Sequence, residues 1–419
     1  MTYRPNYHLS PPSGRLNDPN GITLIDDTLH VFYQHDPGFP HAPKRTGWGH
    51  AVTTLGEGIW RHLPDALYPD FPYDANGCYS GSSVFHEGQV RLFYTGNLKV
   101  NGERVTSQNI VDVDDLTGPA GGFYRRSAKN PIIDGPAEGY TAHYRDPQVS
   151  REGERWRMVI GAQRTDETGA IVLYFSDDLE SWDFAGELRF HDMPEAVSHS
   201  YMWECPNLLT LRDRADGQEY QVLVFCPQYP ESDQCVYVVG RLDGLDFHVT
   251  TYRTLDHGHE FYAPQLIPYE EDALMLGWMG LPGRDDTPTL ESEGWVHQLT
   301  LPRRVWLDGG LLFQELVLPR SHEGMLVKSV ELDQTPVLIE LIDDSSVPGF
   351  SVSWDGEGVL EFGRESEVNR VACIPGQLVF TADGCAVEVT AGNGYVAASS
   401  AVFSSGGNPW GEIQVTQGT

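Results

Sequence analysis

The sequence predicts an all-β protein: a five-bladed β-propeller followed by a small C-terminal β-sandwich. Three observations carry that prediction. A strand–turn–strand layout recurs five times at intervals of 58–65 residues, and a near-constant period of that size marks radial repetition of four-stranded units. Beyond about Arg304 the layout stops, and short alternating strands separated by Gly, Asp and Ser clusters take over. No long segment combines a 3.6-residue period with caps, so little helix is expected.

The units follow in order, each with a Pro- or Ser-marked start, a polar turn and a β-branched or aromatic strand. Unit one runs from Asp18-Pro19-Asn20-Gly21 through Asp26-Asp27 to Val31-Phe32-Tyr33-Gln34. Unit two runs from Ser80-Gly81-Ser82 through Glu87-Gly88 to Leu92-Phe93-Tyr94, and unit three from Asp146-Pro147 through Glu152-Gly153 to Trp156 and Val159-Ile160. Unit four runs from Cys205-Pro206-Asn207 through Asp216-Gly217 to Val222-Leu223-Val224-Phe225. Unit five runs from Ala263-Pro264-Gln265 through an acidic turn to Leu274-Met275-Leu276-Gly277-Trp278. Trp60 and Trp182, nearly two periods apart, mark similar outer-strand positions. The later strands, among them Val337–Leu341, Phe350–Trp354 and Val387–Val389, alternate as a sandwich does. The expected domains are a propeller over 1–305, a connecting segment over 306–322 and a sandwich over 323–419.

Composition narrows the function. At 419 residues the chain is too long for one ordinary core. Asp and Glu number 60 against 28 Lys and Arg, a formal net charge of −32. Such a surface repels phosphate backbones and anionic lipid, so neither nucleic acid nor membrane is an expected partner. No stretch approaches the ~20 apolar residues of a membrane span, and Met1 to Asn6 lead into no apolar h-region, so a signal peptide is not expected. Six separated cysteines without a C-x-x-C pair predict free thiols in a reducing cytoplasm. Ten tryptophans beside only 21% charged residues suit a β-rich, sugar-handling protein.

A propeller brings equivalent positions of its inner strands to one central funnel, which turns the repeat into a site prediction. Asp18 and Asp146 precede the marker prolines of units one and three, and Glu204 lies two residues before Pro206 in unit four. A single Asp-Pro is ordinarily a turn signal. Three carboxylates in register would crowd one pocket and split their pKa values, which leaves one ionised and another protonated. Glycoside hydrolysis needs such a pair.

At these residues the sequence resembles glycoside hydrolase family 32, the β-fructofuranosidases. Asn17-Asp18-Pro19-Asn20-Gly21, Arg145-Asp146-Pro147 and Glu204-Cys205 are similar to the family's three signature motifs, in the family's order. Further matches are Phe32-Tyr33-Gln34, Trp48-Gly49-His50-Ala51, Tyr79-Ser80-Gly81-Ser82, Phe261-Tyr262-Ala263-Pro264-Gln265, Gly277-Trp278 and Leu301-Pro302-Arg303. The resemblance spans essentially the whole chain. It implies a retaining enzyme that releases terminal β-D-fructofuranosyl residues from sucrose or short fructo-oligosaccharides.

Carried over residue by residue, the resemblance makes Asp18 the nucleophile, Glu204 the general acid/base and Asp146 the carboxylate that holds fructose hydroxyls. Asn17 is expected to keep Asp18 ionised. Burial beside Cys205 and a second carboxylate is expected to keep Glu204 protonated. Arg145 is expected to offer donors to sugar hydroxyls and to lower the pKa of Asp146. Asn17, Gln34 and Ser80 are expected to bind hydroxyls, and Trp48, Tyr79 and Trp278 to form apolar walls. No cofactor or metal is implied, and His257-Gly258-His259 has no third ligand near it in sequence.

The sequence departs from the family pattern at Arg15, Tyr79, Glu260 and Arg304, which is expected to alter the sugar-binding rim. Lys44 and Arg45, in the loop before Trp48, are candidates to meet a phosphate, although loop lysines and arginines are ordinarily just solvated. Two rival readings share the fold: a fructosyltransferase with the same site, and a carbohydrate-binding propeller without catalysis. A third, the related arabinosidases and xylosidases, lacks the Asn-Asp-Pro-Asn-Gly run.

Overall fold

In the computed structural model, which describes residues 2–404, 407 and 409–418, five antiparallel sheets surround one axis and two further sheets follow. The inner strands of the five blades are Gly14–Ile25, Cys78–His86, Tyr140–Glu152, Met202–Arg212 and Tyr262–Tyr269. Each lies against the next, and the fifth lies against the first. Trp295–Val296 adds a parallel pairing to the inner strand of blade one, which ties the end of the fifth repeat to the start of the first. Trp60 and Trp182 each stand one residue before the outermost strand of their blade. Helix is confined to one six-residue segment, Pro288–Glu293, and one 3-10 turn among the described residues.

Blade five extends farther than the sequence suggested. Its outer strands are Arg303–Asp308 and Leu311–Leu316. The expected boundary at 305 therefore falls inside a strand, and most of the 306–322 segment is propeller. The missed signal was the Gly309-Gly310 turn, whose residues both have positive φ and close a tight hairpin between apolar strands.

The sandwich pairs a sheet of Leu326–Leu332, Gly376–Asp383, Ala386–Ala391 and Val396–Ala401 with a second sheet of five strands. Its core includes Phe350, Trp354, Phe362 and Phe380. It meets the propeller through a fully buried polar chain. His8 contacts Asp383 at 2.9 Å and Glu388 at 3.0 Å, Glu388 pairs with Arg303, and Arg303 reaches Asp256 at 2.9 Å. Arg303 is the arginine of the Leu-Pro-Arg motif, so that motif is a joint between domains. His257-Gly258-His259 serves the same joint. A Cβ on Gly258 would stand 1.9 Å from the Ser399 carbonyl oxygen, and His259 Nδ1 lies 2.8 Å from Ser400 Oγ.

Burial alone would lower the pKa of His8, but its hydrogen bonds to Asp383 and Glu388 raise it to about 9. The imidazolium is thus favoured in the fold, and its contribution is complete below the unfolded value of 6.5 and lost as pH rises through about 9. Thermal unfolding followed from pH 7 to 10 should show a falling midpoint. The His8→Gln variant should start lower and fall less; equal slopes would remove His8 as the source.

Candidate active site

All five inner strands share one local irregularity. A register shift breaks pairing with the neighbouring strand between Leu16 and Pro19, Cys78 and Gly81, Arg145 and Gln148, Glu204 and Asn207, and Tyr262 and Gln265. Bulges re-aim side chains. Here they turn two successive residues of each blade toward the funnel. Pro19, Pro147, Pro206 and Pro264 follow the turned residues in four blades, and Gly81 takes that place in blade two. Glycine is required there, because a Cβ would stand 1.9 Å from the carbonyl oxygen of Phe93. Aligned on these positions, Gly81 of unit two stands where the other four units have their marker proline.

The inner row holds Asp18, Ser80, Asp146, Cys205 and Ala263. Asp146, Cys205 and Ala263 adopt positive φ, a costly backbone that the surrounding ring holds in place. The outer row holds Asn17, Tyr79, Arg145, Glu204 and Tyr262. The structure therefore brings together the three predicted acids from blades one, three and four.

Asp18 is held by two donors. Ser80 Oγ donates to Oδ2 through a very short hydrogen bond, and Asn17 Nδ2 donates to Oδ1 at 3.0 Å. Gln34 completes a loop: it accepts from Asn17 at 2.8 Å and donates to Ser80 at 2.6 Å. Burial raises the Asp18 pKa, Glu204 pushes it further up, and the Ser80 and Asn17 donors work against both. Asp146 accepts from the backbone N–H of Cys205 at 3.0 Å. Its pKa is also raised, chiefly by burial, which outweighs the opposing charge of Arg145. The expected lowering by Arg145 is present but loses to desolvation.

The Cys205 thiol lies between these two acids, 3.8 Å from Asp18 Oδ2 and 3.6 Å from Asp146 Oδ2. Burial and the neighbouring carboxylates push its pKa well above the ordinary value, so it remains a thiol and can donate to them.

Arg145 is committed differently from the expectation. Its Nε and Nη2 both donate to Glu204 Oε1, at 3.0 and 2.6 Å, while Tyr262 donates to Oε2 at 2.7 Å. Arg145 also donates to His143 Nδ1 at 3.1 Å. Burial and the two adjacent arginines, 145 and 104, lower the pKa of His143 to about 4, so it stays neutral and accepts. Tyr262 had a signal that the reading left unused. It stands two residues before Pro264, as Glu204 stands before Pro206 and Arg145 before Pro147.

The aromatic walls are corrected by burial. Trp48 is fully buried beside Phe32 and Tyr94, with its indole N–H on the Tyr79 carbonyl at 3.1 Å. It supports the rim from beneath. Trp278 is 2% exposed and sits edge-on to Tyr262 and His297. Tyr79 alone of the three is half-buried at the mouth. Of the four departures, Arg15 is at the rim, paired with Asp285 at 2.9 Å beside the rings of Trp278 and Phe39. Tyr79 is there too. Glu260 instead pairs with Arg364 of the sandwich, and Arg304 pairs with Asp272 on the outer part of blade five. These two do not shape the sugar rim.

The family model for the glycosyl hydrolases family 32 N-terminal domain matches residues 8–315. The chain is similar to the sucrose-6-phosphate hydrolase of Klebsiella pneumoniae, 37% identical over 367 residues that cover 83% of this chain and 75% of the relative. It is also similar to that of Bacillus subtilis (strain 168), 34% identical over 394 residues that cover 87% and 78%. A solved Bombyx mori GH32 beta-fructofuranosidase superposes with a TM-score of 0.78 at 28% identity, covering 99% of this chain and 93% of that one. A sucrose-6-phosphate hydrolase from Lactobacillus gasseri shares the fold, with a TM-score of 0.82 at 24% identity and coverage of 99% and 92%.

Replacing Ser80 by Ala removes a donor that keeps the Asp18 pKa down, so that pKa should rise further. The acid limb of the pH profile of kcat/KM should move to higher pH. Gln34→Ala, which touches Asn17 and Ser80 but not Asp18, should move it the same way by less. An unmoved limb in both variants would show that this loop does not set the ionisation of Asp18.

Proposed function

The chain belongs to glycoside hydrolase family 32, and we propose that it releases the terminal β-D-fructofuranosyl unit of sucrose or of sucrose 6-phosphate by a retaining mechanism. The observation that carries this reading is the convergence of Asp18, Asp146 and Glu204 from three blades, with the Cys205 thiol between the first two. Similarity to sucrose-6-phosphate hydrolases and to a beta-fructofuranosidase supports the substrate class.

In this reading Asp18 attacks the anomeric carbon and forms a covalent fructosyl-enzyme, while Glu204 gives a proton to the departing glycosidic oxygen. Glu204 then takes a proton from the water that hydrolyses the intermediate. The geometry suits those roles. The Asn17–Gln34–Ser80 loop fixes the Asp18 carboxylate in one orientation, and Arg145 with Tyr262 fixes that of Glu204. Asp146, held by the Cys205 amide, is placed to take fructose hydroxyls. Asn17, Gln34, Ser80 and Arg145 act on the sugar chiefly by setting these acids, and Tyr79 offers its ring at the mouth. No helix among the described residues is long and apolar enough to cross a membrane. We place the enzyme in the cytoplasm, a compartment that suits its six unpaired cysteines.

Asp18→Asn should keep the fold by circular dichroism and lose about three orders of magnitude or more in kcat. Retention of more than a few per cent of activity would remove Asp18 as nucleophile. Glu204→Gln should recover partly on fructosides with good leaving groups, which need no proton; equal loss on every substrate would point away from acid catalysis. NMR of the first product, before mutarotation, should show β-fructose, whereas α-fructose would mean inversion.

A further inference from the structure

The chain has only four lysines, Lys44, Lys99, Lys129 and Lys328, in a sequence of net charge −32. Two of the four stand together at the mouth of the active site. Lys44 lies in the loop between the second and third strands of blade one, and its ammonium is 6.0 Å from the centre of the Tyr79 ring. The Arg104 guanidinium is 5.7 Å from the same ring. Lys99 is the direct cross-strand partner of Arg104 near the tip of the Gln89–Val100/Glu103–Asp114 hairpin of blade two.

Two other cations of the neighbourhood are neutralised. Arg15 pairs with Asp285 at 2.9 Å, and Arg45 pairs with Asp70 at 2.6 Å and leans on Tyr68. Of the two loop cations that the sequence suggested, Arg45 is therefore engaged elsewhere. Among the described residues, Lys44, Lys99 and Arg104 form no ion pair with a carboxylate. Like charges directly opposite across two strands destabilise a hairpin, and here a third cation faces them. Burial, Arg15 and, more weakly, Lys99 lower the Lys44 pKa against the opposing charges of Asp36 and Asp285. Burial and Arg145 likewise lower that of Arg104.

The position relative to the chemistry is specific. Tyr79 immediately precedes Ser80, the donor to Asp18. Arg104 shares His143 as an acceptor with Arg145, which holds Glu204. The three cations thus stand at the rim beside the residues that hold Asp18 and Glu204.

Resting on the fructosidase reading above, we infer that Lys44, Lys99 and Arg104 form a phosphate-binding subsite that selects a sucrose phosphorylated on its glucosyl unit. The phosphate dianion brings the three cations a partner in direct contact, where the protein offers only carboxylates beyond ion-pair distance, with Arg104 giving directed donors and the lysines point charge. No group is transferred to or from the phosphate.

The test compares kcat/KM for sucrose 6-phosphate and for sucrose at one fixed ionic strength, in the wild type and in Arg104→Gln, Lys44→Gln and the double variant. The wild type should prefer the phosphorylated sugar. Each single variant should lower the ratio of the two kcat/KM values by about 10-fold or more, mainly through KM for sucrose 6-phosphate. Inhibition by glucose 6-phosphate, relative to glucose, should weaken in parallel. Lys44→Gln alters a loop side chain outside the strand ladders and keeps the test valid should Arg104→Gln fail to fold. An unchanged ratio, or an equal loss on both sugars, would overturn the subsite. A wild type that cleaves both sugars equally well would overturn it while leaving the fructosidase reading in place; one that cleaves neither would overturn that reading itself.

Discussion

The structure depends on a closed ring of side-chain clasps at the floor of the funnel. One residue after each marker position stands a short polar side chain: Asn20, Ser82, Gln148, Asn207 and Gln265. Each bonds to the backbone of the next blade. Asn20 accepts from Gly81, Ser82 bridges Pro147 and Val149, and Gln148 accepts from Leu208. Asn207 bridges Pro264 and Leu266, and Gln265 closes the circle on Ile22 while also reaching Gly81. Bulges free backbone groups from the strand ladder in the buried centre, where unpaired groups cost about 1–3 kcal/mol each. The ring gives partners to several of those groups and, in the same contacts, fixes the five blades against one another.

That ring also explains how three carboxylates can be held together. Each acid lies two or three residues upstream of a clasped position, so its backbone cannot relax away from its neighbours. The repulsion is met locally by a set of donors: Ser80 and Asn17 on Asp18, the Cys205 amide and thiol on Asp146, and Arg145 with Tyr262 on Glu204. The inner row is neutral except for two acids, and the outer row carries a fixed cation beside the third. Two environments result from one repeated backbone feature, and unequal environments are what separate the duties of paired carboxylates.

The architecture was legible in the sequence because a blade must restart with the same turn chemistry each time, and Asp18-Pro19, Asp146-Pro147, Cys205-Pro206 and Ala263-Pro264 record it. The three acids were legible for the same reason. What could not be read were side-chain choices among several nearby partners. Arg145 could reach a sugar, Asp146 or Glu204, and only the geometry decides for Glu204. Trp48 and Trp278 had the composition of sugar platforms, yet burial puts both in the wall behind the site. Arg104 and Lys99 sit near the tip of a blade hairpin, where no repeat position marks them, so nothing in the spacing tied them to the funnel. The domain boundary was misread where a Gly-Gly hairpin continued blade five.

Charge distribution closes the account. A surface of net charge −32 repels an anionic sugar at long range, but salt limits that repulsion to about 8–10 Å at ordinary ionic strength. Contacts within a hydrogen bond of a partly enclosed rim are screened far less. Most arginines here are spent on ion pairs, as Arg303 is between domains and Arg145 is beside Glu204. Lys44, Lys99 and Arg104 make no such pair among the described residues, and they stand at the rim of the funnel that gathers the catalytic acids. Selection for an anionic leaving group can then be local even though the protein as a whole is strongly acidic.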